Sequence, residues 1–136
     1  MDRFLREMGG SVTFVGRQHR LEVGDQEYFV DILLYHRHLR CLIALELKTT
    51  AFMPEYMGKM QFYLTALHRH SRVSGENAPI GIIVCKTKNK MVVEYALAQA
   101  KTLIGVATYK MTTRLPKDLK NQLPAPEQVG RLLEEI

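Results

Sequence analysis

The sequence predicts an α/β domain with a central mixed sheet flanked by helices, and three observations predict it. Residues 12–48 hold three strand-like apolar runs joined by short polar turns. Residues 54–70 carry apolar side chains at helical spacing. Residues 79–86 then read as one continuous apolar run, the pattern of a central strand buried on both faces. Successive hairpins, then a helix, then a buried strand, require antiparallel and parallel pairing in one sheet.

The elements follow in order. Residues 2–8 are expected as a short helix with Phe4, Leu5 and Met8 on one side, ended by Gly9-Gly10. Residues 12–23 read as a strand interrupted at Gly16, where a bulge is expected. Gly24-Asp25-Gln26 is a turn into the second strand at 27–36, and His36 to Arg40 is the polar turn into a third at 40–48. After a connector, Pro54 suits the first turn of a helix, where its missing N–H is no loss, and Glu55 suits the positive end of the helix dipole. Met57, Met60, Leu64 and Leu67, with Tyr56 and Tyr63, form the apolar stripe, and Gln61 borders it. Residues 71–78 form a polar loop, 79–86 the buried strand, and 86–90 a basic loop. Residues 91–100 are expected as a second long helix with Val92, Val93, Ala96 and Leu97 inward, and 104–111 as a further strand. Three prolines and several lysines make 112–126 an extended arm, and 127–136 is an amphipathic helix with Val129, Leu132, Leu133 and Ile136 on one stripe. Packing of that stripe on its own sheet is the first reading, and a docking or homodimer surface is the second.

Composition bounds the function. A chain of 136 residues is expected as one domain over 1–136, burying about 65–70% of its unfolded surface. No apolar run approaches the ~20 residues that span a bilayer, and MDRFLREMGG lacks a signal-peptide core. A cytoplasmic location is expected, with no membrane partner. Cys41 and Cys85 lie in strand-like runs and read as free buried thiols. His36/His38 and His68/His70 are the only close histidine pairs, and no Cys/His cluster has zinc spacing. A net charge of +5 favours a polyanionic partner.

Each of two neighbouring runs carries charge where a buried strand should carry none. Asp31 sits inside Phe29-Val30-Asp31-Ile32-Leu33-Leu34, and Glu46 and Lys48 close Leu42-Ile43-Ala44-Leu45-Glu46-Leu47-Lys48. Carboxylates in apolar surroundings are costly unless a cation, a metal or water stands beside them. Alternation turns Glu46 and Lys48 to one face, which Asp31 on the adjacent strand also reaches. Two carboxylates and an ammonium there read as a divalent-metal site with a lysine beside it, or as an internal salt bridge at a sheet end.

Asp31, fourteen residues, then Glu46-Leu47-Lys48 is an Asp…Glu-x-Lys pattern across a hairpin. With α-βββ-α-β around it, this resembles the PD-(D/E)XK nuclease superfamily and its restriction-endonuclease-like core. The blocks FVGRQHRLEVGDQEYFVDILLYH, RCLIALELK, PEYMGKMQFYLTAL, GIIVCKTKN and VEYAL, in that order, resemble the nuclease domain of bacterial YhcG-like proteins over roughly residues 12–124. The resemblance implies metal-dependent hydrolysis of DNA phosphodiesters in defence, restriction or recombination. Asp31, Glu46 and the backbone carbonyl of Leu47 would hold Mg²⁺ or Mn²⁺, and Lys48 would act on the attacking water. A catalytically silent nuclease-fold module for nucleic-acid binding or protein docking is the alternative, and an RNA substrate would use the same site.

Further candidates follow, Glu7 and Gln61 from the resemblance, and Glu22 and the basic residues from their positions along the elements. Glu7 lies on the helix where many superfamily members place a metal-proximal glutamate. Glu22 either reaches the metal or pairs with Arg20. Gln61 occupies the helix on which several superfamily branches keep a glutamine facing the site, although Thr65 stands where one branch has its tyrosine. Val30 replaces the nominal proline before Asp31. Arg17, Arg20, Lys59, Lys86, Lys88 and Lys90, with Arg37 and Arg40, are candidates for phosphate contacts. No aromatic stacking platform or base-reading code is legible. YhcG-like proteins usually carry a helical domain before the nuclease domain, so a DNA-binding helical domain outside this chain is an expected partner.

Overall fold

A computed structural model describes residues 12–108. The expected helix at 2–8, the arm at 112–126, the helix at 127–136 and the last three residues of the strand at 104–111 lie outside the described residues.

Five strands form one sheet: β1 (Val12–Val23), β2 (Gln26–His36), β3 (Cys41–Leu47), β4 (Ile80–Cys85) and β5 (Ile104–Thr108), in that spatial order. β1–β2 and β2–β3 are antiparallel, whereas β3–β4 and β4–β5 are parallel. The helices α1 (Glu55–His70) and α2 (Lys90–Ala98) provide the two crossovers. Gly24 and Asp25 both have positive φ, +58° and +68°, the conformation a two-residue hairpin turn needs to match the twist of its strands. The second hairpin closes through Leu39 N–H donated to His36 Nδ1 at 3.0 Å. The expected bulge is present: the register slips between Phe14↔Leu34 and Gly16↔Leu33.

Alternation splits the apolar side chains between two clusters. Leu33, Leu42, Ala44, Ile83 and Cys85 pack with Met57, Met60, Tyr63, Leu64 and Leu67 of α1. Ile32, Leu34, Ile43, Leu45, Ile82 and Val84 belong to the opposite face. All six residues of β4 are buried, which is why its sequence is apolar throughout. Gly81 lets α1 sit close on β4, since a Cβ there would lie 2.7 Å from Met60 Cγ and Sδ and 3.1 Å from Leu64 Cδ1. Asn89 caps α2, accepting from the backbone N–H groups of Met91 and Val92. One expectation is corrected here: Val92 is exposed rather than inward, because α2 is short and offers the sheet only one fully buried side chain, Val93.

Candidate active site

β3 turns Leu42 and Ala44 toward α1, so alternation carries Glu46 and then Lys48 to the same face. The β2–β3 ladder runs to Ile32↔Leu45, and one step further Asp31 faces Glu46. At that step side chains take over from the ladder. Asp31 N–H donates to Glu46 Oε1 at 3.1 Å, and Leu47 N–H donates to Asp31 Oδ2 at 3.0 Å. Each carboxylate is thus held by the backbone of the opposite strand. In an extended strand the N–H and C=O of one residue project to the same edge, so the Leu47 carbonyl lies on the Asp31 side. Gln18 of β1 adds a third contact, donating from Nε2 to Asp31 Oδ1 at 3.3 Å. It does so from a left-handed backbone (φ 48°), a conformation that costs a non-glycine residue roughly 1–2 kcal/mol.

Glu46 is 3% exposed, the one buried charged residue among those described. Burial, and next the charge of Asp31, push its carboxyl up to about 7, against the Asp31 N–H bond and the Lys59 ammonium, which pull it down. Lys59 and Tyr63 of α1 complete a charge-coupled group. Burial lowers the Lys59 pKa, but its hydrogen bond to Tyr63 and the charges of Tyr63, Glu46 and Asp31 raise it to a net upward shift. Burial raises the Tyr63 phenol, the Lys59 bond opposes this, and the two carboxylates reinforce it. Lys48 Nζ sits 4.8 Å from the ring centroid of Tyr56. It also lies near enough to Cys85 to pull down a thiol that burial pushes up to about 11.

Two carboxylates, one of them buried, converge at this edge, and a hard cation would relieve the cost. Among the described residues there is no group of three or more His, Cys, Asp and Glu that could enclose a metal. A set of two carboxylates and a carbonyl fits an oxygen-seeking ion that keeps several waters, Mg²⁺ or Mn²⁺, and does not fit zinc.

The other candidates divide by position. Arg17 is exposed and pairs with Ile32, one residue from Asp31. Lys59 Nζ lies 5.5 Å from the Tyr63 ring centroid, near enough to the carboxylates for their charges to raise its pKa. Lys86, Lys88 and Lys90 lie just past the carboxyl end of β4, the sheet edge that Glu46 and Lys48 occupy through the parallel β3–β4 pairing. Lys88 Nζ is bonded to Val106 O at 3.1 Å. Glu22 is placed elsewhere: it faces Glu27 near the β1–β2 turn, and Arg20 bridges both glutamates at 3.0 Å. Gln61 lines a groove between α1 and α2 with Met57 and Tyr95. It lies two residues from Lys59, on a different side of the helix. Glu7 is outside the described residues. Sequence reasoning missed Gln18, Tyr56 and Tyr63 as neighbours of the site. For Tyr63 a signal existed, its i,i+4 spacing from Lys59, but the apolar stripe absorbed it.

The mixed sheet, with Glu46-Leu47 at the end of its third strand, Lys48 next and Asp31 across from Glu46, is that of a PD-(D/E)XK nuclease domain. Two solved structures share the fold at 15% identity: a repair endonuclease from Pyrococcus abyssi (TM-score 0.51, 78% of this chain and 41% of that one) and EndoMS in its dsDNA2 complex (TM-score 0.56, 80% and 41%). The chain belongs to the YhcG PDDEXK nuclease domain family, whose model matches residues 1–124. It is 36% identical over 126 residues to "Putative nuclease YhcG" of Escherichia coli (strain K12), covering 93% of this chain and 34% of that protein. The chain thus spans about a third of the length of that curated relative. No helix among the described residues is long and apolar enough to cross a membrane.

Proposed function

We propose that the chain hydrolyses DNA phosphodiester bonds with Mg²⁺ or Mn²⁺ bound at the Asp31–Glu46 edge, in a defence, restriction or recombination setting. The observation that carries this is the reciprocal clasp: Asp31 N–H on Glu46, and Leu47 N–H on Asp31. It holds two carboxylates convergent on rigid strands, the preorganisation a metal-assisted hydrolysis requires. Asp31, Glu46 and the Leu47 carbonyl would hold the ion. When bound, the ion supplies charge neutralisation at the phosphate and a lowered water pKa. Lys48, steadied on Tyr56, orients the attacking water or stabilises developing charge. Lys59 balances the carboxylates and, with Arg17, Lys86 and Lys90, draws the phosphate backbone to the edge. A helical DNA-binding domain outside this chain is a proposed partner in recognising target sequence.

The test is cleavage of supercoiled plasmid, linear duplex and branched DNA with Mg²⁺ or Mn²⁺, with Glu46→Ala and Lys48→Ala in parallel. Metal-dependent cleavage lost in both variants is expected. Metal-independent cleavage, or cleavage that survives both substitutions, overturns the proposal.

A further inference from the structure

The groove between α1 and α2 is not used by the hydrolytic site. Pro54, Met57 and Gln61 line one wall, and Val92, Tyr95, Ala96 and Gln99 line the other. The spacings of three, four and seven residues place each set on a single helix face. The cavity is about 630 Å³, a size that accommodates a nucleotide, and no acidic residue lines it. Its floor is apolar, with two side-chain amides, Gln61 and Gln99, at its walls. Tyr95 is 75% exposed, and Met91 beside it is 61% exposed.

The lining of the groove begins at the N-terminal ends of both helices, close in sequence to the proposed catalytic edge. Pro54 precedes by two residues Tyr56, whose ring holds Lys48 Nζ. Val92 follows by two residues Lys90, the start of α2 and the end of the basic loop. From Lys90 to Tyr95 the helix rises about 7.5 Å and turns by about 140°, so the ammonium stands outside the groove, near its entry. An open aromatic face, two amides able to donate and accept, and lysines at one end together form a stacking platform with an electrostatic entry.

Resting on the nuclease reading, we propose that this groove receives an unpaired nucleotide of the DNA strand whose phosphate lies at the Asp31–Glu46 edge. Tyr95 stacks on the base, Gln61 and Gln99 hydrogen-bond its edge, and Lys90 contacts the adjoining phosphate. A base inside a duplex has no face free for Tyr95, so the groove selects single-stranded or branched DNA.

The experiment is fluorescence anisotropy of a labelled twelve-residue oligothymidylate and of a blunt duplex, in EDTA, with the full chain. Tyr95→Ala is expected to weaken oligothymidylate binding roughly 5- to 150-fold, to leave duplex binding unchanged, and to be rescued by Tyr95→Phe. Tyr95 is exposed, so these variants fold. Equal losses on both DNAs, no loss on either, or no oligothymidylate binding by the unsubstituted chain overturns the proposal. Binding is read without metal, so a failure of cleavage would sink the nuclease reading while leaving this result to stand or fall independently.

Discussion

Asp31 and Glu46 face each other across β2 and β3, and the backbone N–H of Asp31 donates to Glu46 Oε1 at 3.1 Å. A backbone amide thus fixes a buried carboxylate. The β2–β3 ladder ends at Ile32↔Leu45, one step before the two acids meet, while β1–β2 and β3–β4 pairing runs on.

Without metal, the stability of the chain depends on pH through Glu46. The Glu46 carboxyl is raised from 4.5 to about 7, so between those values the folded chain holds a proton that the unfolded chain has lost. Stability therefore falls as pH rises through that window, by up to roughly 3 kcal/mol from this group. In EDTA, Glu46→Gln should melt near the unsubstituted chain at pH 4.5 and clearly above it at pH 7.5. A constant gap between the two curves would refute the assignment.

Asp31 separates structure from catalysis. Asn at 31 retains an oxygen to accept Leu47 N–H but loses the charge, so Asp31→Asn should keep its melting temperature while cleavage falls at least ~100-fold. Asp31→Ala leaves the Leu47 amide without its acceptor and should also cost about 1–3 kcal/mol. Denaturant unfolding and plasmid cleavage on both variants check this.

Lys59 pulls the Glu46 carboxyl down. Lys59→Ala should therefore move the acid limb of the cleavage pH profile upward and lower the plateau rate. An unmoved acid limb would show that the two groups do not communicate.

The basic loop should divide functionally. Lys86→Ala and Lys90→Ala should each reduce the slope of log affinity for duplex DNA against log salt by about 0.9. Lys88→Ala breaks the bond to Val106 O and should appear mainly as a lower melting temperature.

Gly81 tests how closely α1 packs. A Cβ there meets Met60 Cγ and Sδ at 2.7 Å, so Met60, itself buried in the core, must shift. Gly81→Ala should destabilise by about 1–3 kcal/mol in urea unfolding, with the order of sheet strands retained.

The sequence by itself determined the elements between 12 and 108 and the residues of the central edge. Strand and helix follow from the period of apolar residues, which is local, and Asp31, Glu46 and Lys48 stood out because charge inside an apolar run is costly wherever the chain goes. The side each faces followed from alternation once the hairpin was recognised. The tertiary structure decided what long-range packing alone controls. Glu22 stays with Arg20 because the β1–β2 register sets it opposite Glu27 beside the turn, four residues along β2 from Asp31. Gln61 and Lys59, two residues apart, went to different sides of α1 once Met60, Leu64 and Leu67 chose the face that seats on the sheet. Tyr63 stayed in the buried stripe and is charge-coupled from there to Lys59 and the two carboxylates, and Val92 and Tyr95 were left outward because α2 buries only Val93 fully. A helical period identifies a face. Which partner that face meets depends on residues far away in the chain, and no local pattern carries that information.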